Sequence, residues 1–326
     1  MAASPTPRPT RADAVANPAL APLQGLSVPL PVAVAFSGGA DSTALLHAAA
    51  ATWPGHVHAI HVHHGLQPAA DDFARHCQRV CAVLGLPLHE IRVDAGHASG
   101  ESPEDAARKA RYGALAQTAV SLGLKAVLLA QHADDQVETM LLALSRGAGL
   151  PGLAAMPVSF ERSGMRFERP LLRVGAPDIR RWLATQKIAF VEDPTNADVA
   201  FTRNRIRHQV LPALEQAFPQ FRETFARSAR HAAQAQELLA AIATEDLAAA
   251  GNPPGIRGLQ QLSRARQANL LRHWLRTAHE AAASAAQLEE LLDQVAACVT
   301  RGDGLRIKVA DGFVTRAGEH LRFSRD

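Results

Sequence analysis

Ser37-Gly38-Gly39-Ala40-Asp41-Ser42 lies between an apolar run, Val32-Ala33-Val34-Ala35-Phe36, and a stretch of helix formers that starts at Thr43. The apolar run reads as a strand buried on both faces. A strand, a glycine-rich turn and a helix therefore follow one another directly. Such a junction builds an anion site. Glycines let the backbone approach phosphate oxygens without a Cβ clash. The first N–H groups of the helix point at the anion, and the dipole adds about 0.3–1 kcal/mol. Ser37, Ser42 and Thr43 add hydroxyl donors. Asp41 is out of place in a loop that only binds anions, and a carboxylate beside phosphates implies a Mg²⁺ bridge. A tight turn capped by serine and aspartate is the plainer alternative. The loop has neither the Gly-Lys-Ser/Thr of a Walker A loop nor the spacing of a dinucleotide fingerprint.

Strand and helix signals alternate through the first half of the chain. Strands are expected at Val32–Phe36, His56–His63, Pro87–Val93 and Ala126–Ala130, and helices at Ser42–Ala51, Asp71–Leu84, 102–122 and Asp134–Ser145. This alternation implies an α/β fold, an open parallel sheet with helices on both faces. Ligands in such sheets sit beyond the carboxyl ends of the strands. Ser37–Ser42 and His132–Glu138 both follow strand ends, so they are expected to share one cleft. Gly147–Met156 reads as a loop, Ser163-Gly164 as the turn of a hairpin, and Ala176–Lys187 as a further helix.

Past Phe218-Pro219 the texture changes. Phe221–Ala250 and Gln260–Ala297 are long Ala-, Leu- and Arg-rich helical stretches, followed by short strands near Arg306–Val309, Phe313–Thr315 and Leu321–Phe323. The expected organisation is a disordered leader over 1–31, a catalytic domain over 32–217 and a smaller, mainly helical domain over 218–326. No run approaches the ~18 apolar residues of a membrane span. The three cysteines, Cys77, Cys81 and Cys298, make no disulfide framework and point to a cytoplasmic protein.

In Gln131-His132-Ala133-Asp134-Asp135-Gln136-Val137-Glu138, Asp135 and Glu138 share a helical face. Beside an anion loop they suit Mg²⁺ coordination or orientation of an amine; Asp134 or Asp135 is also a candidate helix cap. His61-Val62-His63-His64-Gly65 ends the second strand. Strand alternation splits its histidines between two faces, which argues against a metal site. A backbone turn at His64-Gly65 beside a nucleoside is the better reading. Arginines cluster at Arg203, Arg205 and Arg207 and again at Arg222, Arg227 and Arg230, a density suited to phosphate contacts on a nucleotide or an RNA backbone. The formal net charge of only +3 permits such a partner without requiring it.

The loop resembles the PP-loop of the N-type ATP pyrophosphatases, which cleave ATP to AMP and pyrophosphate. Further stretches narrow the likeness: Arg108–Tyr112, Arg146-Gly147-Ala148-Gly149-Leu150-Pro151-Gly152-Leu153, Arg169-Pro170-Leu171-Leu172 and Asp193–Arg207. Together and in order over about 32–215 they resemble the tRNA(Ile)-lysidine synthetase family. The helical second domain resembles the family's tRNA-binding region more loosely. The chain also resembles the shorter members that lack a last C-terminal module. Gln67, Gln131 and Ala155 depart from residues common in the family.

The resemblance implies ATP and Mg²⁺ as cofactors, and free L-lysine and a CAU-anticodon tRNA(Ile) as partners. The C2 oxygen of the wobble cytidine attacks the α-phosphate of ATP and pyrophosphate leaves. The lysine ε-amine then attacks C2 and AMP leaves. Ser37, Gly38, Gly39, Ala40 and Ser42 would cradle the phosphates, with His64 and Gly65 nearby. Asp41 would hold Mg²⁺. Asp135 and Glu138 would hold and deprotonate the amine. Arg111 and Arg203 would join the catalytic set, while Arg205, Arg207, Arg222, Arg227 and Arg230 would hold the RNA. A homodimer is compatible with this reading. Two rivals remain: tRNA thiolation by a related PP-loop enzyme, which needs reactive cysteines, and a non-catalytic nucleotide or RNA binder.

Overall fold

Residues 16–63, 70–93, 103–299 and 304–325 are described by the computed structural model. His64 and Gly65 lie outside them. The chain divides into two compact units between Arg230 and His231.

In the first unit a short helix α1 (Leu20–Gln24) precedes β1 (Val32–Ala35), α2 (Ala40–Thr52), β2 (Val57–His63), α3 (Ala70–Leu84), β3 (Leu88–Arg92), α4 (Pro103–Ser121), β4 (Ala126–Leu128) and α5 (Ala133–Ser145). Then come α6 (Leu150–Leu153), β5 (Ser159–Arg162), β6 (Met165–Glu168), α7 (Ala176–Gln186), α8 (Thr202–Arg205) and α9 (Leu211–Ala217). One sheet runs in the order β3-β2-β1-β4-β6-β5. All pairs are parallel except β5 with β6, so the sheet carries one antiparallel edge strand that the sequence reading did not assign to it. Ser163 and Gly164 both have positive φ, the twist-matched two-residue turn that forces β5 back against β6.

The sheet is covered on both faces because β1 is apolar at every position. Val32, Val34 and Phe36 pack with Leu45, Leu46, Ile179 and Leu183 of α2 and α7. Ala33 packs on the other side with Leu115, Ala116 and Ala119 of α4 and with Phe167. The chain winds outward from β1 to β2 and β3, then returns to place β4 on the opposite side of β1. The carboxyl ends of β1 and β4 therefore flank a topological switch point, where a parallel sheet opens a crevice.

Part of the segment expected as a disordered leader, 1–31, packs on the domain. Ala19 and Leu23 are buried in the same cluster as α2, and Asn17 Nδ2 donates to Ala44 O at 2.8 Å. Apolar residues among the prolines tie this segment to the domain. The expected loop at Gly147–Met156 contains α6, with a proline at its start.

Helix α10 (Phe221–Ala250) runs through the division between the units. Its first turns belong to the first unit, since Phe221 and Phe225 pack with Val137, Ile206 and Leu211. That packing, invisible in the sequence, moves the division past the Phe218-Pro219 break. The second unit adds α11 (Ile256–Gln260), α12 (Arg264–His279), α13 (Ala285–Ala297) and an antiparallel sheet of β7 (Arg306–Val309), β8 (Gly312–Ala317) and β9 (His320–Arg325). Trp274, Leu270 and Leu271 of α12 and Leu291 and Leu292 of α13 pack against Val309, Val314 and Leu321 of the strands. The stretch expected as one long helical run from Gln260 is thus cut into segments. Glu280 ends α12 in the left-handed region, and Ser284 caps α13 reciprocally with Gln287. Among the described residues no helix is long and apolar enough to cross a membrane.

Candidate active site

Gly38 makes the turn out of β1 at φ +84°. A Cβ there would lie 3.2 Å from Cys77 Sγ and 3.3 Å from His76 Cδ2. Glycine is needed both for the backbone conformation and for the close approach of α3. Gly39 caps α2 without any side-chain acceptor. The turn is braced from within: Ser37 Oγ and Ser42 Oγ lie 3.0 Å apart, and Ser42 Oγ lies 3.1 Å from Gly39 O. Thr43 differs from the donor role expected of it. Its hydroxyl is fully buried and donates to Gly39 O at 2.8 Å, so it stiffens the loop rather than facing an anion. Ser37 is the exposed hydroxyl of the loop.

The loop and the start of α5 come together across the switch point. His132 Nε2 is 3.6 Å from Asp41 Oδ2, and its Nδ1 is 3.8 Å from Asp134 Oδ2 and 3.5 Å from Asp135 Oδ2. Burial opposes a charge on His132, but Asp135, Asp41 and Asp134 outweigh it and raise its pKa to about 9. Sequence reasoning passed over this histidine, which is the imidazolium among the carboxylates. Asp135 serves two purposes. Its Oδ2 accepts the His132 N–H at 3.0 Å, capping α5, and its Oδ1 lies 3.4 Å from Arg207 Nη2.

Glu138 has no exposed side-chain surface. Arg207 Nε and Nη2 donate to its two oxygens at 2.8 and 3.1 Å, and Arg203 Nη1 stands 3.8 Å away. Burial raises the Glu138 pKa and Arg207 pulls it back, leaving it above the ordinary value. Arg207, expected on the RNA, thus points inward to this carboxylate. A π-helical turn at Ile206–Val210 sets that direction.

Arg222 also turns inward. Its guanidinium reaches Asp134 Oδ1 at 2.8–2.9 Å and Glu215 at 2.8 Å. Asp134 Oδ2 accepts the Ala176 N–H at 2.9 Å. Burial pushes the Asp134 carboxyl up, but Arg222 and the Ala176 N–H hold it below its usual range. Arg205 closes its own loop, donating to Val199 O and Ala200 O at 3.1 and 3.0 Å. Arg227 and Arg230 are exposed on α10. Arg111 is exposed on α4, 5.9 Å from the Tyr112 ring.

Arg169 fastens the segment that follows β6. It donates to Gln131 Oε1 at 3.2 Å, Pro157 O at 2.9 Å and Tyr112 Oη at 3.2 Å, and stacks 4.3 Å from the Phe160 ring centroid. Gln136 holds Met156 through both backbone groups. These contacts give the Arg146–Met156 and Arg169–Leu172 stretches a structural purpose. His61 of β2 bonds Phe36 O at 2.8 Å, and among the described residues no group of three or more His, Cys, Asp or Glu side chains is arranged to hold a metal. Cys77 and Cys81 are buried, with thiols pushed up to about 12 and about 11 by burial.

The switch-point loop, the uncapped start of α2 and the facing carboxylates define a PP-loop domain of the ATP-utilising class. A family model described as a PP-loop domain matches residues 17–214, and one described as a TilS substrate binding domain matches residues 256–321. A tRNA(Ile)-lysidine synthase of Polaromonas naphthalenivorans is 65% identical over 314 residues, covering 94% of this chain and 95% of that protein. One of Burkholderia mallei is 42% identical over 312 residues, covering 93% of this chain but 62% of its own length. The chain belongs to the tRNA(Ile)-lysidine synthase family. Among solved structures, the U34-tRNA thiolase NcsA from Methanococcus maripaludis, with its [4Fe-4S] cluster, aligns with a TM-score of 0.55 at 14% identity over 64% of this chain and 74% of that one. That likeness is one of fold.

Proposed function

We propose that this protein joins free lysine to C2 of the wobble cytidine of a CAU-anticodon tRNA(Ile), using ATP in two steps. The observation that carries the reading is the meeting of Asp41, His132, Asp135 and Glu138 at one switch point, beside a loop built for phosphate.

In the first step the cytidine C2 oxygen attacks the α-phosphate and pyrophosphate departs. Ser37 and the free N–H groups at the start of α2 bind the leaving phosphates. Asp41 has a side chain 35% exposed. A partly exposed carboxylate beside free backbone N–H groups fits Mg²⁺, which keeps its waters and takes one or two carboxylates together with phosphate oxygens. Bound there, the ion would offset charge on the transferring phosphate. Arg203, close to Glu138 yet 44% exposed, reaches toward the same charge.

In the second step the lysine ε-amine attacks C2 and AMP departs. Its unperturbed pKa of ~10.4 means that it must lose a proton to react. Asp135 is the more reachable acid, 19% exposed against none for Glu138. It holds the ammonium and takes its proton, freeing the amine to attack C2, while Glu138, paired with Arg207, stands behind it as the second carboxylate. Arg227 and Arg230 meet the RNA. The tRNA substrate makes the cytoplasm the place of action.

The sulfur-transfer reading finds no support in the buried, high-pKa thiols of Cys77 and Cys81. The test is incubation of the full chain with ATP, labelled lysine and tRNA transcripts. Label should enter the CAU-anticodon tRNA(Ile) only when ATP is present. Pyrophosphate release on that tRNA without lysine incorporation would overturn the assignment.

A further inference from the structure

Arg222 forms the fixed corner of a cationic cavity. Arg173, Arg222, Arg227 and Arg230 line a space of ≈ 320 Å³ together with Ala133 and Glu223. Three pieces of chain converge there. Residues 222, 226 and 230 recur at helical spacing, so α10 turns one side toward the cavity. The Ala133 N–H donates to Val174 O at 2.9 Å, which pins the segment carrying Arg173 against the start of α5. Arg222 crosses Gly175, its Cδ 3.5 Å from where a Cβ would stand, on the way to Asp134.

The four cations are not alike. Arg222 is neutralised by Asp134 and Glu215. Arg173, Arg227 and Arg230 are exposed and make no ion pair with a described residue. Glu223 is the one acid lining the cavity, against those three open guanidinium groups. Like charges drawn together in this way repel one another until an anion enters, and guanidinium forks match phosphate oxygens. Arg222 reaches Asp134, Asp134 lies 3.8 Å from His132 and His132 lies 3.6 Å from Asp41, so a relay of side chains links this cavity to the glycine-rich loop.

We propose that Arg173, Arg227 and Arg230 seat a backbone phosphate of the RNA substrate, next to the nucleotide that enters the cleft. The seat rests on the tRNA-modifying reading above and adds Arg173, which lies far from α10 in sequence. Arg222 is its positioning residue: through Asp134 it fixes the seat relative to the first turn of α5.

The test uses the full chain with Arg173→Gln and Arg230→Gln, singly and together, and a CAU-anticodon tRNA transcript. Binding is measured from about 50 to about 300 mM salt. Each single change should weaken binding several-fold and lower the slope of log Kd against log salt by about one. The pair should lower it by about two. Anticodon stem-loops carrying one neutral methylphosphonate at a time then locate the contact. At one position the neutral linkage should weaken binding to the parent protein and have no further effect on the double variant. An unchanged salt slope, or additive losses at every position, would overturn the seat. So would a fall in ATP affinity with RNA affinity intact. Lysine transfer by the parent protein alongside an unchanged slope refutes the seat alone. Slope changes in the variants together with a parent protein that never transfers lysine refute the functional reading and leave the seat standing.

Discussion

Replacing Arg207 by glutamine strands a carboxylate inside the protein. Glu138 is wholly buried, and Arg207 donates to both of its oxygens, whereas Arg203 remains 3.8 Å away. Breaking a buried pair by removing one partner costs about 3–5 kcal/mol. Protonation sets a ceiling on that cost. At pH 7, adding a proton to a carboxyl of ordinary pKa ~4.3 costs roughly 3.7 kcal/mol, at about 1.36 kcal/mol per unit. Arg207 is itself 36% exposed, so water already screens part of the pair. We expect a loss of about 2–3 kcal/mol at pH 7, below both bounds.

The sign of the pH dependence follows from Glu138. Its pKa is already raised in the folded protein, and losing Arg207 raises it further. A carboxyl with a raised folded pKa keeps its proton longer in the folded than in the unfolded state. Stability then falls as pH climbs above the unfolded value of ~4.3. Near pH 5 the protonation ceiling is only about 1 kcal/mol, so the variant should approach the parent there. Urea unfolding by fluorescence in a Trp274→Phe background leaves Trp53 and Trp182 to report the first unit alone. The Glu138→Gln/Arg207→Gln double variant should be more stable than the sum of the singles predicts by at least about 1 kcal/mol. Single effects that add within ~0.3–0.5 kcal/mol at both pH values would refute the coupling.

Asp41→Asn should abolish pyrophosphate release while the circular dichroism spectrum stays that of the parent; near-parental release from a folded variant would remove Asp41 from the mechanism. Gly38→Ala should destabilise the protein by at least about 1–2 kcal/mol, the strain of a left-handed alanine, and weaken ATP binding. Adding Cys77→Ala should relieve the 3.2 Å contact and recover only part of that loss, since φ +84° remains; full recovery in urea unfolding would show that the backbone conformation carries no strain. With thiols pushed up to about 12 and about 11, Cys77 and Cys81 should resist iodoacetamide at pH 8 in the folded state, as mass spectrometry can follow. A triple Cys→Ser variant should keep its turnover per folded molecule, and complete loss at normal stability would revive sulfur transfer.

The sequence by itself determined the catalytic domain's layout. A fully apolar β1 can only be an inner strand, and Ser37-Gly38-Gly39 can only follow it as a tight turn into a helix. Two strand-end motifs in an alternating chain must then open on the same edge of the sheet, and His132 and Asp41 do meet there. The antiparallel β5 was hidden because a hairpin signal does not say which sheet it joins. The breaks between α11, α12 and α13 were masked by alanine-rich composition, in which a lone Ser284 cap carries little weight.

What only the tertiary structure decided is where the arginines point. Arg203, Arg205, Arg207, Arg222, Arg227 and Arg230 are indistinguishable as charges in a sequence. A long flexible side chain takes its direction from whatever carboxylate the fold brings within reach. The π-helical turn brings Arg207 to Glu138, and the packing of Phe221 beside Val137 and Ile206 brings Arg222 to Asp134. Arg205 is taken up by nearby carbonyls, whereas Arg227 and Arg230 are left to face outward. The sites of greatest charge were legible from spacing alone. Which cations belong to the carboxylates and which are open to a partner depends on contacts between residues 69 to 88 positions apart, set by packing rather than by local pattern.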